Sequence, residues 1–122
     1  MAVVRYLVRD VGAAVAFYVD AVGFTLIERW GPPFAMVGRG DLELWLSGPA
    51  SSASRTLGDC SEPSPGGWNR LVIETDDLAA LAERLRSAGV RFRSDVVAGP
   101  GGRQMLVEDP SGIPIELLLC WV

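Results

Sequence analysis

The sequence contains the same strand–helix–strand pattern twice, and this internal repeat constrains the fold more than any other feature. In both copies an aspartate stands where a helix needs an N-cap, and a glycine stands where it needs a left-handed end: Asp10 with Gly23, and Asp77 with Gly89. Asp76, beside Asp77, offers a second carboxylate for the cap. The copies span residues 3–27 and 70–92. A repeat of this size predicts two structural modules of one kind.

The repeat continues downstream of the helices. The tripeptide Leu-Glu-Leu at residues 42–44 recurs as Ile-Glu-Leu at residues 115–117, each time after a turn signal. Strands are predicted over residues 3–9, 24–29, 34–39, 42–47, 70–75, 91–98, 104–108 and 113–119, and helices begin after Asp10 and Asp77. Residues 99–102 (Gly-Pro-Gly-Gly) predict a tight turn. We therefore expect an α+β fold of two β-α-β-β-β modules, residues 1–47 and 68–122, joined by a Ser-, Pro- and Gly-rich linker over residues 48–67.

These patterns resemble the vicinal oxygen chelate superfamily, which holds glyoxalase I, extradiol dioxygenases and bleomycin-resistance proteins. The matching pieces are the run over residues 10–24 with Phe17 and Tyr18, the helix start at Asp76, Asp77 and Leu78, and the sequence EDPSGIPIEL at residues 108–117. The resemblance covers residues 3–119. It implies curved mixed sheets around a cleft, and a homodimer in which both chains build each cleft and the linker is the crossover.

Composition excludes several other classes of protein. The chain of 122 residues has a net charge of −4 with its arginines dispersed, which argues against a nucleic-acid binder. No apolar run approaches the length of a membrane span, and no secretory signal begins the sequence, so we expect a cytoplasmic protein without a membrane partner. Cys60 and Cys120 lack metal-type spacing and are expected to be free thiols.

Metal-dependent members of the superfamily hold a divalent ion with histidines and glutamates on paired strands. The resemblance places Val3 and Arg70 at the histidine positions, and Glu43 and Glu116 at the glutamate positions. The chain has no histidine, and a guanidinium has no lone pair for a metal. We therefore expect no metal and no cofactor, and an Arg70–Glu116 ion pair where the metal would lie.

An aromatic and partly charged binding surface remains. Trp45 shares strand parity with Glu43, so both side chains are expected on one face. The predicted ligand-binding residues are Arg5, Trp30, Phe34, Glu43, Trp45, Trp68, Arg70, Arg103, Met105 and Glu116. Tyr6, Met36 and Trp121 are further candidates, and two or three of the aromatic candidates are expected to belong to the core instead.

The sequence predicts metal-independent binding and sequestration of a hydrophobic or aromatic small molecule, such as an antibiotic. One alternative is a glyoxalase-like isomerase, lyase or transferase that uses Glu43, Glu74 or Glu116 as a base without a metal. A structural or regulatory member with no small ligand is another alternative. Chemical conversion of a bound ligand would favour the enzyme, whereas protection without turnover would favour sequestration.

Overall fold

A computed structural model describes residues 2–120, which form two compact units that meet in sequence between Gly66 and Gly67. Trp121, one of the candidate ligand-binding residues, lies outside the described residues. Within the described range no helix has the length and apolarity needed to cross a bilayer. The α+β fold with two curved mixed sheets is confirmed.

The first unit begins with strand β1 (Ala2–Leu7) and helix α1 (Val11–Val15), which continues as a π-helical stretch over Ala16–Val22. Three strands follow: β2 (Thr25–Trp30), β3 (Phe34–Arg39) and β4 (Leu42–Ser47). The sheet order is β1-β4-β3-β2, and β1 runs parallel to β4. A single 3₁₀ turn, Ser52–Ser54, follows the sheet.

Local sequence accounts for the ends of the first helix. The side chain of Asp10 accepts a hydrogen bond from the backbone N–H of Ala13 at 3.0 Å, as a helix N-cap does. Gly23 ends the helical stretch at φ +98°, and its N–H donates to the carbonyl of Tyr18, five residues earlier. That wider turn lets the consecutive rings of Phe17 and Tyr18 both lie in the core.

The second unit repeats the same connectivity. Its elements are β5 (Leu71–Glu74), α2 (Leu78–Ser87), β6 (Arg91–Phe92), β7 (Val97–Gly99), β8 (Gly102–Glu108) and β9 (Pro114–Cys120). The sheet order is β5-β9-β8-β6, with β7 also paired to β8, and β5 runs parallel to β9. Asp77 caps α2 through the N–H of Ala80 at 3.0 Å. The apolar side chains spaced i, i+3, i+4 and i+7 along this helix are buried: Leu78, Leu81, Ala82 and Leu85.

The prediction of one strand over residues 91–98 is wrong. The backbone N–H groups of Arg93 and Ser94 both donate to the single carbonyl of Leu106, so the ladder is interrupted and two short strands result. The predicted turn at residues 99–102 is confirmed, because Gly99 pairs with Gly102 at the end of the β7–β8 hairpin.

One argument for a homodimer also changes. Alternation on the last strand of each module predicts that Leu44, Leu46, Leu117 and Leu119 need cover from a partner. The first three are fully buried within this chain, and Leu119 is half-buried. Helix α1 packs against β4, so the first two leucines face a helix of their own unit. The three fully buried leucines therefore give no reason for self-association.

Candidate functional site

A continuous group of aromatic side chains lies on the face of the first sheet that is turned away from α1. Strand β4 alternates, with Leu44 and Leu46 directed into the core and Glu43 and Trp45 to the opposite face. The strand register brings side chains of β1, β3 and β2 to the same face as Glu43 and Trp45. We call the following five residues the aromatic face: Arg5, Trp30, Phe34, Trp45 and Ser47.

The register places these side chains side by side. Arg5 lies opposite Trp45, and Phe34 lies opposite both Ser47 on β4 and Trp30 on β2. The ring centroids of Trp30 and Phe34 are 5.5 Å apart, and those of Phe34 and Trp45 are 6.1 Å apart with a T-shaped geometry. The three rings therefore form one connected surface within the distances of favourable aromatic contacts.

Arg5 extends over these rings. Its guanidinium carbon is 5.3 Å from the centroid of Trp45 and 6.0 Å from that of Phe34. One guanidinium nitrogen donates to the Ser47 hydroxyl at 2.9 Å. The aromatic face is therefore apolar and also presents a positive charge.

Carboxylates fix the orientation of the two indole rings. The Trp45 Nε1–H donates to Glu43 Oε1 at 3.3 Å, and the Trp30 Nε1–H donates to Glu28. Trp30 nevertheless remains 57% exposed. Because the polar N–H groups already have partners, the flat faces of the rings remain for contact with a ligand.

In the second unit, the predicted ion pair between Arg70 and Glu116 is confirmed. The Nε and Nη2 atoms of Arg70 donate to Glu116 Oε1 at 3.2 Å and 3.1 Å. The Glu116 carboxylate is thus neutralised by a cation from its own unit.

The four residues at the metal positions that the resemblance implies do not fit a metal ion. Val3 lies directly opposite Glu43, and Val72 lies opposite Glu116, with Arg70 two residues before Val72. Val3 is therefore in register with its glutamate, whereas Arg70 is two residues out of register with Glu116. Among residues 2–120 there is also no group of three or more His, Cys, Asp or Glu side chains arranged to hold an ion. Valines and a guanidinium supply no ligand to a divalent ion.

Two further predicted ligand residues lie elsewhere. Met105, opposite Leu117, is 2% exposed and fills the core of the second unit. Glu116 pairs instead with Leu106, so Met105 points to the other side of the sheet from Glu116. Arg103 shares the parity of Met105 but is exposed near the β7–β8 turn. The ring centroids of Tyr6 and the buried Tyr18 are 6.4 Å apart, so Tyr6 faces the π-helical stretch that carries Tyr18.

Trp68 lies in the second unit, at the rim of a separate cavity. It is 74% exposed, and the guanidinium carbon of Arg93 is 5.0 Å from its ring centroid. Arg93 also donates to Glu108 at 2.8 Å. The cavity measures about 700 Å³ and is lined by Gly67, Trp68, Arg91, Phe92, Arg93, Leu106 and Glu108.

Sequence reasoning missed two polar residues at this site: Ser47, a member of the aromatic face, and Glu28, which accepts the hydrogen bond of Trp30. Ser47 could have been found, because it has the strand parity of Glu43 and Trp45. Glu28 could not, since the pairing of β2 with β3 shifts at a bulge between Leu26 and Glu28, which breaks simple alternation.

A thiol and a carboxylate meet near the end of the second sheet. The Sγ of Cys120 is 3.6 Å from Glu74 Oε1. Partial desolvation, and then the Glu74 carboxylate, raise the pKa of the Cys120 thiol. The thiol is therefore protonated at neutral pH and is a poor nucleophile.

The fold and these sites can be compared with known proteins. The chain belongs to the Glyoxalase/Bleomycin resistance protein/Dioxygenase superfamily, whose family model matches residues 1–117. No curated protein matches the sequence.

Several solved structures resemble the chain over nearly its whole length. The antibiotic-binding protein TnmS3 from Streptomyces sp. CB03234 is 28% identical, with a TM-score of 0.74. The match covers 98% of this chain and 93% of that chain. The bleomycin-binding protein of Streptomyces verticillus, solved with copper(II)-bleomycin, is 27% identical with a TM-score of 0.64, covering 98% and 95%. A lactoylglutathione lyase from Agrobacterium tumefaciens is 22% identical with a TM-score of 0.74, covering 98% and 92%, and shows the shared fold alone.

Proposed function

We propose that this protein binds and sequesters a hydrophobic or aromatic small molecule, such as an antibiotic, without a metal ion. The observation that carries the proposal is the aromatic face, where the rings of Trp30, Phe34 and Trp45 adjoin one another and both indole N–H groups are already paired. Flat rings of this kind suit a planar ligand, because stacking adds about 0.5–1.5 kcal/mol per ring pair to the burial of apolar area.

The similarity to known binders supports the same proposal. TnmS3 is an antibiotic-binding protein and the Streptomyces verticillus protein binds bleomycin, and each is more than 25% identical to this chain over almost all of its length. The valines opposite the two glutamates (Val3 opposite Glu43, Val72 opposite Glu116) and the Arg70–Glu116 ion pair support the metal-independent part of the proposal.

An enzyme that uses a carboxylate base is the second candidate, and one observation favours it. Glu43 is half-buried beside Trp45 and makes none of the ion pairs found within residues 2–120. Glu116, in contrast, is held in an ion pair with Arg70. Glu43→Gln separates the two functions, since an enzyme would lose turnover while keeping most of its binding, and a binder has no turnover to lose.

Binding to the aromatic face is tested by replacing Trp45. We expect Trp45→Ala to weaken binding of a planar aromatic antibiotic by at least about tenfold, because both stacking and buried indole area are lost. Trp45→Phe keeps a ring and should stay within about threefold. A panel of natural-product antibiotics is first screened by thermal shift, and the affinities of its hits are measured by isothermal titration calorimetry.

Two outcomes would contradict this proposal. If no aromatic compound of a broad panel raises the melting temperature or binds, sequestration of planar drugs is the wrong function. If compounds bind but Trp45→Ala binds them as tightly as the wild type, the ligand lies elsewhere. Trp68→Ala then tests the cavity of the second unit.

We further propose that the protein is a cytoplasmic homodimer. Large apolar side chains remain exposed on both sheets, and association would remove them from water: Val3, Leu26, Ile27, Trp30 and Val72. Light scattering should give twice the 13.1 kDa chain mass. A monomer at tens of micromolar concentration would refute the dimer.

A further inference from the structure

We infer that the ligand of the aromatic face carries an acidic group, a carboxylate or an ionised phenol, and that Arg5 binds it. This inference rests on the proposed function and names the chemical class of the ligand. Its basis is that the guanidinium of Arg5 is held in place without a counter-charge.

The surroundings of Arg5 differ from those of three arginines of the second unit that have carboxylate partners. Arg70 is paired with Glu116, and Arg91 and Arg93 are both paired with Glu108. Arg5 takes part in none of the ion pairs among residues 2–120. Its one hydrogen bond goes to a neutral hydroxyl, that of Ser47.

The geometry leaves suitable donors for an anion. A guanidinium has five N–H donors, and one nitrogen of Arg5 is used by Ser47. The rings of Trp45 and Phe34 flank the guanidinium carbon at 5.3 Å and 6.0 Å and limit its movement. A guanidinium fixed in this way binds a carboxylate through two parallel N–H donors with little further ordering. A planar molecule lying on the rings would bring a substituent to this edge.

The nearby carboxylates fix the side on which the acid binds. On β4, Glu43 precedes Trp45 and Ser47 follows it. Arg5 lies opposite Trp45 and donates to Ser47, so its guanidinium points away from Glu43. Glu28 is engaged by the indole of Trp30. The acid is therefore expected at the Ser47 end of the aromatic face, on the side of Trp45 away from Glu43.

The net charge of −4 does not oppose this assignment at contact distance. Charges farther away than about 8–10 Å are largely screened at physiological salt, whereas a direct guanidinium contact is not. The overall charge would slow the approach of an anion more than it would weaken the bound complex.

A pair of probes that differ in one group tests the inference: anthraquinone-2-carboxylate and anthraquinone-2-carboxamide. By isothermal titration calorimetry, the wild type should bind the acid at least about tenfold more tightly than the amide, as expected for a charge-assisted hydrogen bond. In Arg5→Gln this preference should fall to within about twofold, while affinity for the amide stays within about threefold. Arg5→Lys should restore part of the preference, since it keeps the charge and loses the planar fork.

Arg55→Gln is the matched control, because it removes the same charge from an exposed residue after the 3₁₀ turn. It should keep the full preference for the acid, and unchanged melting temperatures should show that all variants fold. Equal binding of acid and amide by the wild type overturns the inference and leaves the proposed function standing. If neither probe binds, the inference fails as well, and the proposed function fails with it only if the whole aromatic panel also fails to bind.

Discussion

Replacement of Gly102 by alanine is expected to lower the free energy of unfolding by at least about 2 kcal/mol, and it can prevent folding of the second unit. Gly102 begins β8 at φ +148°, where a side chain is strained. A Cβ at this position would lie 2.0 Å from the carbonyl oxygen of Leu119 and 2.9 Å from the Cα of Cys120. These are backbone atoms of the paired strand β9, so the clash can be relieved only by moving the strand itself. Urea unfolding followed by circular dichroism measures the loss.

The neighbouring glycine provides the control. A Cβ on Gly101 would meet nothing within 4 Å, and Gly101 is not among the glycines with positive φ. Gly101→Ala is therefore expected to change the free energy of unfolding by no more than about 0.5 kcal/mol. Equal stability of the two variants would show that β8 does not approach the β9 backbone closely at Gly102.

Removal of the Asp109 carboxylate is expected to cost about 2–3 kcal/mol of stability. Asp109 is 4% exposed in the turn between β8 and β9, and its Oδ1 accepts from the backbone N–H groups of Ser111 at 2.8 Å and Ile113 at 2.9 Å. Asp109→Ala would leave both buried donors without this acceptor, and an unpaired buried donor costs about 1–3 kcal/mol. Chemical denaturation measures the difference.

Asp109→Asn keeps an oxygen acceptor at the same place and should lose clearly less stability than Asp109→Ala. An alanine variant as stable as the wild type would show that other groups satisfy the turn. Because this turn leads directly into β9, the alanine variant should also loosen the strand that carries Glu116. Loss of the Arg70–Glu116 pair would then accompany the loss of stability.

Local signals in the sequence were sufficient for much of the fold. The carboxylates of Asp10 and Asp77 cap their helices, and Gly23 and Gly89 adopt positive φ where the helical stretches end, because these roles depend on the chemistry of one residue and its nearest neighbours. The Arg70–Glu116 pair was also predicted, through the resemblance of each flanking motif to the superfamily.

Features that depend on pairing between distant strands could not be read in this way. Met105 faces the core because it lies opposite Leu117 on the neighbouring strand. An alternating sequence alone does not say which face of the sheet is covered by the helix. The register that sets Val3 opposite Glu43 but Val72 opposite Glu116 is likewise a property of the assembled sheets. The same limit applies to the aromatic face, whose members come from four strands.

The connectivity of the sheets has a consequence for synthesis on the ribosome. In each unit the earliest strand lies parallel to the latest one, β1 with β4 and β5 with β9. The ladder of the first unit is therefore complete once Ser47 has emerged, and every strand of that sheet then has its partner. Its backbone groups and aliphatic side chains can be sheltered while the ribosome is still adding the second unit, at about 5–20 residues per second. Nascent chains of this protein should thus expose only one unfinished sheet at a time to aggregation.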